Sequence, residues 1–317
     1  MFVEGDQNRV IEKKKGKLIP ILLISFLSLI VLSVIIILLS RFISYKVKNS
    51  PSITKLENQW KEGDYLGVFE TSSILIEKNF LKNTILTYRG YAAYRLACSE
   101  IDPTRSQKYI DEAIRSLRIA LMDAKPNTLG QIYYQLGRAY FYKNTVSSYY
   151  YYSDLVVKYL ELARSHGYYA DDIPELLGIS YGYLGKSYDS IKSFSEALNV
   201  RESDSLLLMI AEQYYKEGQY PAAKQYLFQV TSRANDDNLL LKSQTLLAKI
   251  YIEEDDFDSA GELYKAILEK DENSPDAHFG MGLIYEKNND MVKARAEWRK
   301  TLKIDGSYEP ALKKMYR

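Results

Sequence analysis

Small and apolar side chains recur near the C-terminus in two matched copies spaced 34 residues apart. Ala248, Tyr251, Ala260, Tyr264 and Asp271 are answered by Gly282, Tyr285, Ala294, Trp298 and Asp305. A small residue, an aromatic three later, Ala nine after that and another aromatic four on predicts two helices joined by a turn. The pattern continues upstream. Leu177-Gly178, Tyr181, Gly185, Ser190, Phe194 and Ala197 form one unit, and Ile210-Ala211, Tyr214, Gly218, Tyr220, Ala223 and Leu227 the next. An earlier unit carries Leu136-Gly137 and Tyr140, then Val156, Leu160 and Ala163. Its inter-helix turn is enlarged by a tyrosine-rich run from Ser147 to Ser153. Before it, Gly90 is followed by Ala113, Leu117 and Ala120, with Ser99 to Thr104 as a loop longer than the period allows. Glu57 to Phe80 opens the series, turning at Gly63-Asp64-Tyr65. Pro310-Ala311-Leu312 begins a short last helix able to cap the open end.

A different pattern marks the N-terminus. Leu18 to Leu39 has no charged residue and only the hydroxyls of Ser25, Ser28 and Ser33. As a helix it would span about 33 Å, enough to cross a hydrocarbon core. Pro20 falls in the first turn, where its missing N–H costs least, and Phe42 and Tyr45 stand where interfacial aromatics anchor a span. The rival reading, a cleaved signal peptide, requires a shorter apolar stretch and a small-residue cleavage site, and Ser40-Arg41-Phe42-Ile43 is a poor one. The sequence thus divides into a basic cytoplasmic tail (1–17), a transmembrane helix (18–39), a juxtamembrane segment (40–51) and a helical array (52–317). Lys13, Lys14, Lys15 and Lys17 favour a cytoplasmic N-terminus with the large body outside, although Arg41, Lys46, Lys48 and Lys55 follow the span.

Charge narrows the partners. Residues 1–48 carry eight Lys or Arg against three Asp or Glu, a balance of +5, which leaves −4 for the rest of a chain whose net charge is +1. A mildly acidic body argues against nucleic acid, whose phosphates call for clustered Lys and Arg. No catalytic constellation is visible. His166 and His278 are the two histidines, and His278 falls where a bulky ring packs inside a repeat. Cys98 is the single cysteine, expected as a small buried helix residue. Neither His-Glu-x-x-His nor paired Cys occurs, so no metal or cofactor is expected. Gly185-Lys186-Ser187 resembles the end of a phosphate loop, but Ser180 replaces the required glycine and no strand precedes it. The acidic run Glu253-Glu254-Asp255-Asp256 reads as a solvated turn.

On these motifs the chain resembles the tetratricopeptide repeat (TPR) family over roughly residues 52–308, strongly in the last four units. The resemblance implies an all-α superhelix of about seven helix–turn–helix units behind one N-terminal transmembrane helix, with no enzyme activity. Ser190 in place of the usual Ala, Gly306 in place of Pro, and the two inserts depart from the family pattern.

In that family the first helix of each unit lines a concave groove. The matching positions here are Tyr134, Arg138 and Tyr142, then Tyr183, then Leu208, Glu212 and Tyr215, and finally Lys249, Ile252, Phe279 and Leu283. The Lys, Asn and Arg clamp of TPR domains that hold C-terminal carboxylates is missing. The expected partner is therefore an amphipathic helix or apolar segment of another protein, with no small-molecule substrate. Four consecutive tyrosines, Tyr149 to Tyr152, cannot share one helix face. They form either a contact patch or a loop folded back on the array. The Tyr-rich insert with Asp154 to Leu160, and the helix from Val292 to Lys300, are also similar to anchored TPR proteins of bacteria with periplasmic flagella, some of which build the collar around the motor. A non-catalytic subunit or assembly cofactor of a membrane enzyme or secretion complex is the alternative.

Overall fold

The structure is a computed structural model that describes residues 26–42, 50–78, 82–147 and 149–316. The basic tail, Pro20, the first residues of the apolar span, Tyr45, Phe80 and Ser148 lie outside the described residues. Residues 26–42 (α1) are helical and exposed along their whole length. Among the described residues no helix is long and apolar enough to cross a membrane.

The body is a run of helical hairpins. Its first helices (A) and second helices (B) alternate as α2 (Ile53–Lys61) with α3 (Tyr65–Lys78), α4 (Asn83–Ser99) with α5 (Pro103–Ala120), and α6 (Pro126–Ser147) with α7 (Ser153–Ser165). They continue as α8 (Ile173–Tyr183) with α9 (Ser187–Val200), α10 (Asp204–Lys216) with α11 (Tyr220–Arg233), α12 (Asp237–Glu253) with α13 (Phe257–Lys270), and α14 (Pro275–Lys287) with α15 (Met291–Ile304). Helix α16 (Glu309–Met315) closes the series, its Ala311 buried against Ala294 and Trp298. Buried apolar clusters follow one another along this path, as in an array where each unit packs chiefly on its neighbours.

Two sequence features build each hairpin. The first is steric. A Cβ added at Gly178 would lie 2.5 Å from Phe194 Cδ1, and one added at Gly137 would lie 2.5 Å from Leu160 Cδ2. The missing side chain on helix A is therefore the space that the large side chain on helix B fills. Ala248, Ala260 and Ala294 are fully buried at the remaining close approaches.

The second is the turn. Gly63, Gly185 and Gly218 have φ of +74°, +69° and +68°, and the equivalent residues of the last two units, Asp255 and Asn289, adopt 59° and 60°. Each ends helix A in the left-handed region, which Gly occupies freely and Asp or Asn tolerate. The following amide then bonds back across the turn: Lys186 N to Tyr181 O at 2.9 Å, Gln219 N to Tyr214 O at 2.9 Å, Asp256 N to Tyr251 O at 2.8 Å and Asp290 N to Tyr285 O at 2.9 Å. This is the six-to-one bond of a Schellman cap. Asp256 and Asp290 then cap the B helices through Ser259 N and Lys293 N, both at 3.1 Å.

Two expectations are corrected. The extra residues near Ser99–Thr104 do not form a long loop. They lengthen α4 to 17 and α5 to 18 residues around a link of Glu100–Asp102, because Asp102 caps α5 through Thr104 N and Pro103 begins it. In the third unit the tyrosine-rich run does separate the helices, with α6 ending at Ser147 after 22 residues and α7 beginning at Ser153. Cys98 is exposed, not buried, since it lies in the last turn of α4, beyond the packed stretch that ends at Ala97.

Candidate partner-binding groove

The A helices bring the anticipated groove residues to one face, but they do not leave all of them open. Tyr134 is only 6% exposed, and its hydroxyl donates to Asp172 Oδ1 at 2.8 Å. Arg138 Nε reaches Asp172 Oδ2 at 3.5 Å, and its guanidinium stands over the Tyr94 ring at 5.0 Å and the Tyr134 ring at 5.5 Å. Tyr142 donates to Ala97 O at 2.8 Å and meets the Tyr94 ring edge-on. These residues bind unit two to unit three and unit three to unit four. Tyr134 is corrected from open face to inter-repeat core. Burial and the Asp172 carboxylate both push its phenol well above the ordinary tyrosine range.

The far end repeats the arrangement. Lys249 Nζ lies 2.7 Å from Asp276 Oδ1, and Tyr308 donates to the same oxygen at 2.7 Å. Phe279 packs on the Tyr308 ring at 5.3 Å, Leu283 joins the Trp298 cluster, and Ile252 joins the cluster of Ala248 and Tyr264. All three are half-buried. Asp172 and Asp276 occupy the same place in their units, near the start of helix A, and each takes a cation from the helix A before it.

Between these ends the groove opens. Tyr183 is 53% exposed, Glu212 is exposed and Tyr215 is half-buried. Leu208 is corrected in the other sense: at 5% exposure it belongs to the core with Leu246 and Leu247 of α12. A cavity of about 160 Å³ lies here, walled by Ile179, Tyr183, Phe194 and Met209 and edged by Glu212, Gln213 and Lys216. Gln213 is buried and its amide oxygen has no hydrogen-bond partner among the described residues. Desolvation raises the Glu212 carboxyl above the ordinary range, with Lys216 and Lys242 opposing it. Ile179, Met209, Gln213 and Lys216 were not anticipated. Gly182 beside Tyr183 was the available signal, since a small groove-side residue leaves a hollow.

The tyrosine insert divides between its two readings. Tyr150 folds back and stacks on Tyr183, with ring centroids 3.4 Å apart. Tyr152 is half-buried against Tyr140. Tyr149 and Tyr151 stack on each other at 5.2 Å and stay exposed.

His278 is structural. Its Nδ1 lies 2.5 Å from a Glu297 carboxylate oxygen and its Nε2 lies 3.0 Å from Glu272 O, which ties α14 to α15 and to the preceding turn. Among the described residues no group of His, Cys, Asp and Glu is placed to hold a metal.

Hairpins of this kind, stacked with small-to-large packing and a lined concave face, define a helical-repeat protein. A family model described as the tetratricopeptide repeat protein 21 C-terminal ARM domain matches residues 171–313. The C-terminal part of a TPR repeat-containing protein from Cytophaga hutchinsonii is similar in structure. It has 16% identity and a TM-score of 0.55, with 83% of this chain and 99% of that one covered. A tetratricopeptide repeat protein from Parabacteroides merdae also matches, at 16% identity and a TM-score of 0.47, covering 82% of this chain and 94% of that one. No curated protein matches the sequence. Residues 171–313 thus match a model of the TPR class, and the array as a whole has a TPR-like helical-repeat fold. Folds of this type generally act as scaffolds for protein–protein interaction.

Proposed function

We propose that this chain is a membrane-anchored scaffold of a bacterial envelope complex, which holds an apolar or amphipathic segment of a partner in the middle of its groove. The observation that carries this reading is the open cavity at units four and five. Tyr183, Ile179 and Met209 offer apolar surface there, while the buried Gln213 amide oxygen has no internal partner and the Glu212 carboxylate stands exposed at the edge. Such a mixture suits a helix that lays an apolar stripe into a groove and keeps polar residues at its edge. Tyrosine adds contact area at modest entropic cost.

Anchoring is supported by the uncharged stretch Leu18–Leu39, and by the exposure of the apolar side chains from Phe26 to Leu39. The Lys cluster at 13–17 supports a cytoplasmic N-terminus and a periplasmic array. Resemblance of the tyrosine insert and the Val292–Lys300 helix to anchored TPR proteins favours, within this class, the collar of a periplasmic flagellar motor.

The test is retention of partners by the full-length chain, identified by mass spectrometry, for wild type and Tyr183→Ala. Truncating an interface aromatic of this size lowers partner affinity by about 2 kcal/mol, or roughly thirtyfold. Retention unchanged by Tyr183→Ala, with the fold intact, refutes the groove reading. A C-terminal tag protected from external protease in spheroplasts refutes the orientation.

A further inference from the structure

A second cleft lies away from the groove, between α5 and the start of α7, with α6 as its floor. Its volume is about 710 Å³, and it shares no lining residue with the groove cavity. It exists because unit three departs from the regular period. Helix α6 runs on past its usual length, and the chain returns through Tyr152 to begin α7 at Ser153.

The lining combines two chemistries. Ile114, Ile119 and Leu155 supply apolar surface, and Met122, on the 3₁₀ turn Leu121–Asp123, is 82% exposed at the site. Around them stand Arg115, Arg118 and Lys143. Two carboxylates on this stretch of α5 are already engaged. Asp111 takes Lys143 at 2.6 Å, and Glu112 is shared between Arg89 at 2.7 Å and Arg115 at 3.1 Å. Arg118 stands beside Tyr140 in the lining and makes no ion pair with a carboxylate among the described residues. Within the lining, Arg115, Arg118 and Lys143 face the single carboxylate of Asp111, a local excess of positive charge on a body whose own balance is −4.

We propose that this cleft is a second docking site, which takes an acidic amphipathic helix of a partner protein. Its apolar stripe covers Ile119, Met122 and Leu155, and its carboxylates pair with Arg118 and Arg115. Charge complementarity selects the sign of the partner, because a basic segment would place like charges against Arg115 and Arg118, while the one carboxylate in the lining, Asp111, already holds Lys143. Met, Tyr and Arg are also the residue types enriched at protein interfaces. Together with the groove, the cleft would let one array hold two partners at once.

The experiment uses the full-length chain and two fluorescein-labelled amphipathic peptides that share leucines at i, i+3, i+4 and i+7. One carries flanking glutamates, the other flanking lysines. Fluorescence anisotropy is expected to show the acidic peptide bound at least about tenfold more tightly than the basic one, with the difference shrinking as salt rises. Arg118→Glu is expected to reverse or abolish that preference. Met122→Asp, at a position exposed enough to leave folding untouched, is expected to weaken the acidic peptide by a similar factor. Tyr183→Ala is expected to leave it unchanged, which separates this site from the groove. Equal binding of the two peptides, binding of neither, or loss with Tyr183→Ala but not with Arg118→Glu would each overturn the proposal.

Discussion

Replacing Gly282 by Ala and Gly261 by Ala sets the same chemical change against two environments in neighbouring hairpins. Both glycines sit inside helices, where Ala is favoured over Gly by about 1 kcal/mol. At Gly261 the new methyl would meet only Ile284 Cδ1, at 3.7 Å, an ordinary contact. Stability should therefore rise by roughly 0.5–1 kcal/mol. At Gly282 the methyl would lie 2.5 Å from Trp298 Cδ1 and closer still to its indole nitrogen. That ring is 1% exposed and held between Ala294 and Ala311, so it has nowhere to rotate. Overpacking of this kind costs about 1–3 kcal/mol, and more where a rigid ring must move. After the gain in propensity, a net loss of roughly 1–2 kcal/mol is expected. Thermal unfolding followed by circular dichroism gives the sign. Hydrogen exchange gives the location, since each unit of a repeat array opens partly on its own and the loss belongs in α14 to α16. If Gly282→Ala raised the melting temperature as Gly261→Ala does, the small-to-large packing described for these hairpins would be refuted.

Other outcomes follow from the same geometry. Tyr134→Ala should melt the array earlier, by about 3 kcal/mol for a buried aromatic, whereas Tyr183→Ala should leave the melting curve in place. Chemical denaturation of the two variants side by side separates core from groove. Asn289→Gly should stabilise by up to about 1 kcal/mol by relieving the left-handed residue, and Gly218→Val should destabilise by at least that much, both read from thermal midpoints. In acid, the capping carboxylates Asp256 and Asp290 are held below the ordinary 3.8, chiefly by Ser259 and Lys293 respectively. Their contribution is complete above that value and is lost as pH falls through the lower folded-state values. Asp290→Asn keeps a capping oxygen that does not titrate, so its melting temperature should fall less steeply below about pH 4 than that of wild type. A parallel acid slope would count against the cap.

Much of the architecture was legible because period and residue size act within one unit. Gly178 and Phe194, or Gly282 and Trp298, announce a hairpin wherever they recur. The groove was harder to read. A repeat position fixes the direction of a side chain on its own helix, and says nothing of what the next unit brings against it. Tyr134 pointed to the concave face as expected, yet Asp172, 38 residues away, closes it. Leu208 was covered in the same way by α12. The cavity at Met209 and Gln213 arises from packing across units, which local spacing does not encode. The insert was ambiguous for a related reason. Stacking of Tyr150 on Tyr183 joins two segments that no periodicity relates.

The two aspartates near the starts of α8 and α14 also make the array unequal in stiffness. Each fastens a helix A to the one before it on the concave side through a cation, with a phenol added from that same helix at Asp172 and from the following unit at Asp276, so uncurling the array at those junctions stretches the ion pair. At the junction of units four and five the corresponding residues are Ile179 and Ser205, which carry no charge, and at the next they are Glu212 and Lys242, which attract each other without closing to an ion pair. Under load along its axis the array is expected to yield first in this middle stretch, where the open cavity lies. A segment seated across that stretch would act as a splint, and the rod would stiffen when its partner arrives.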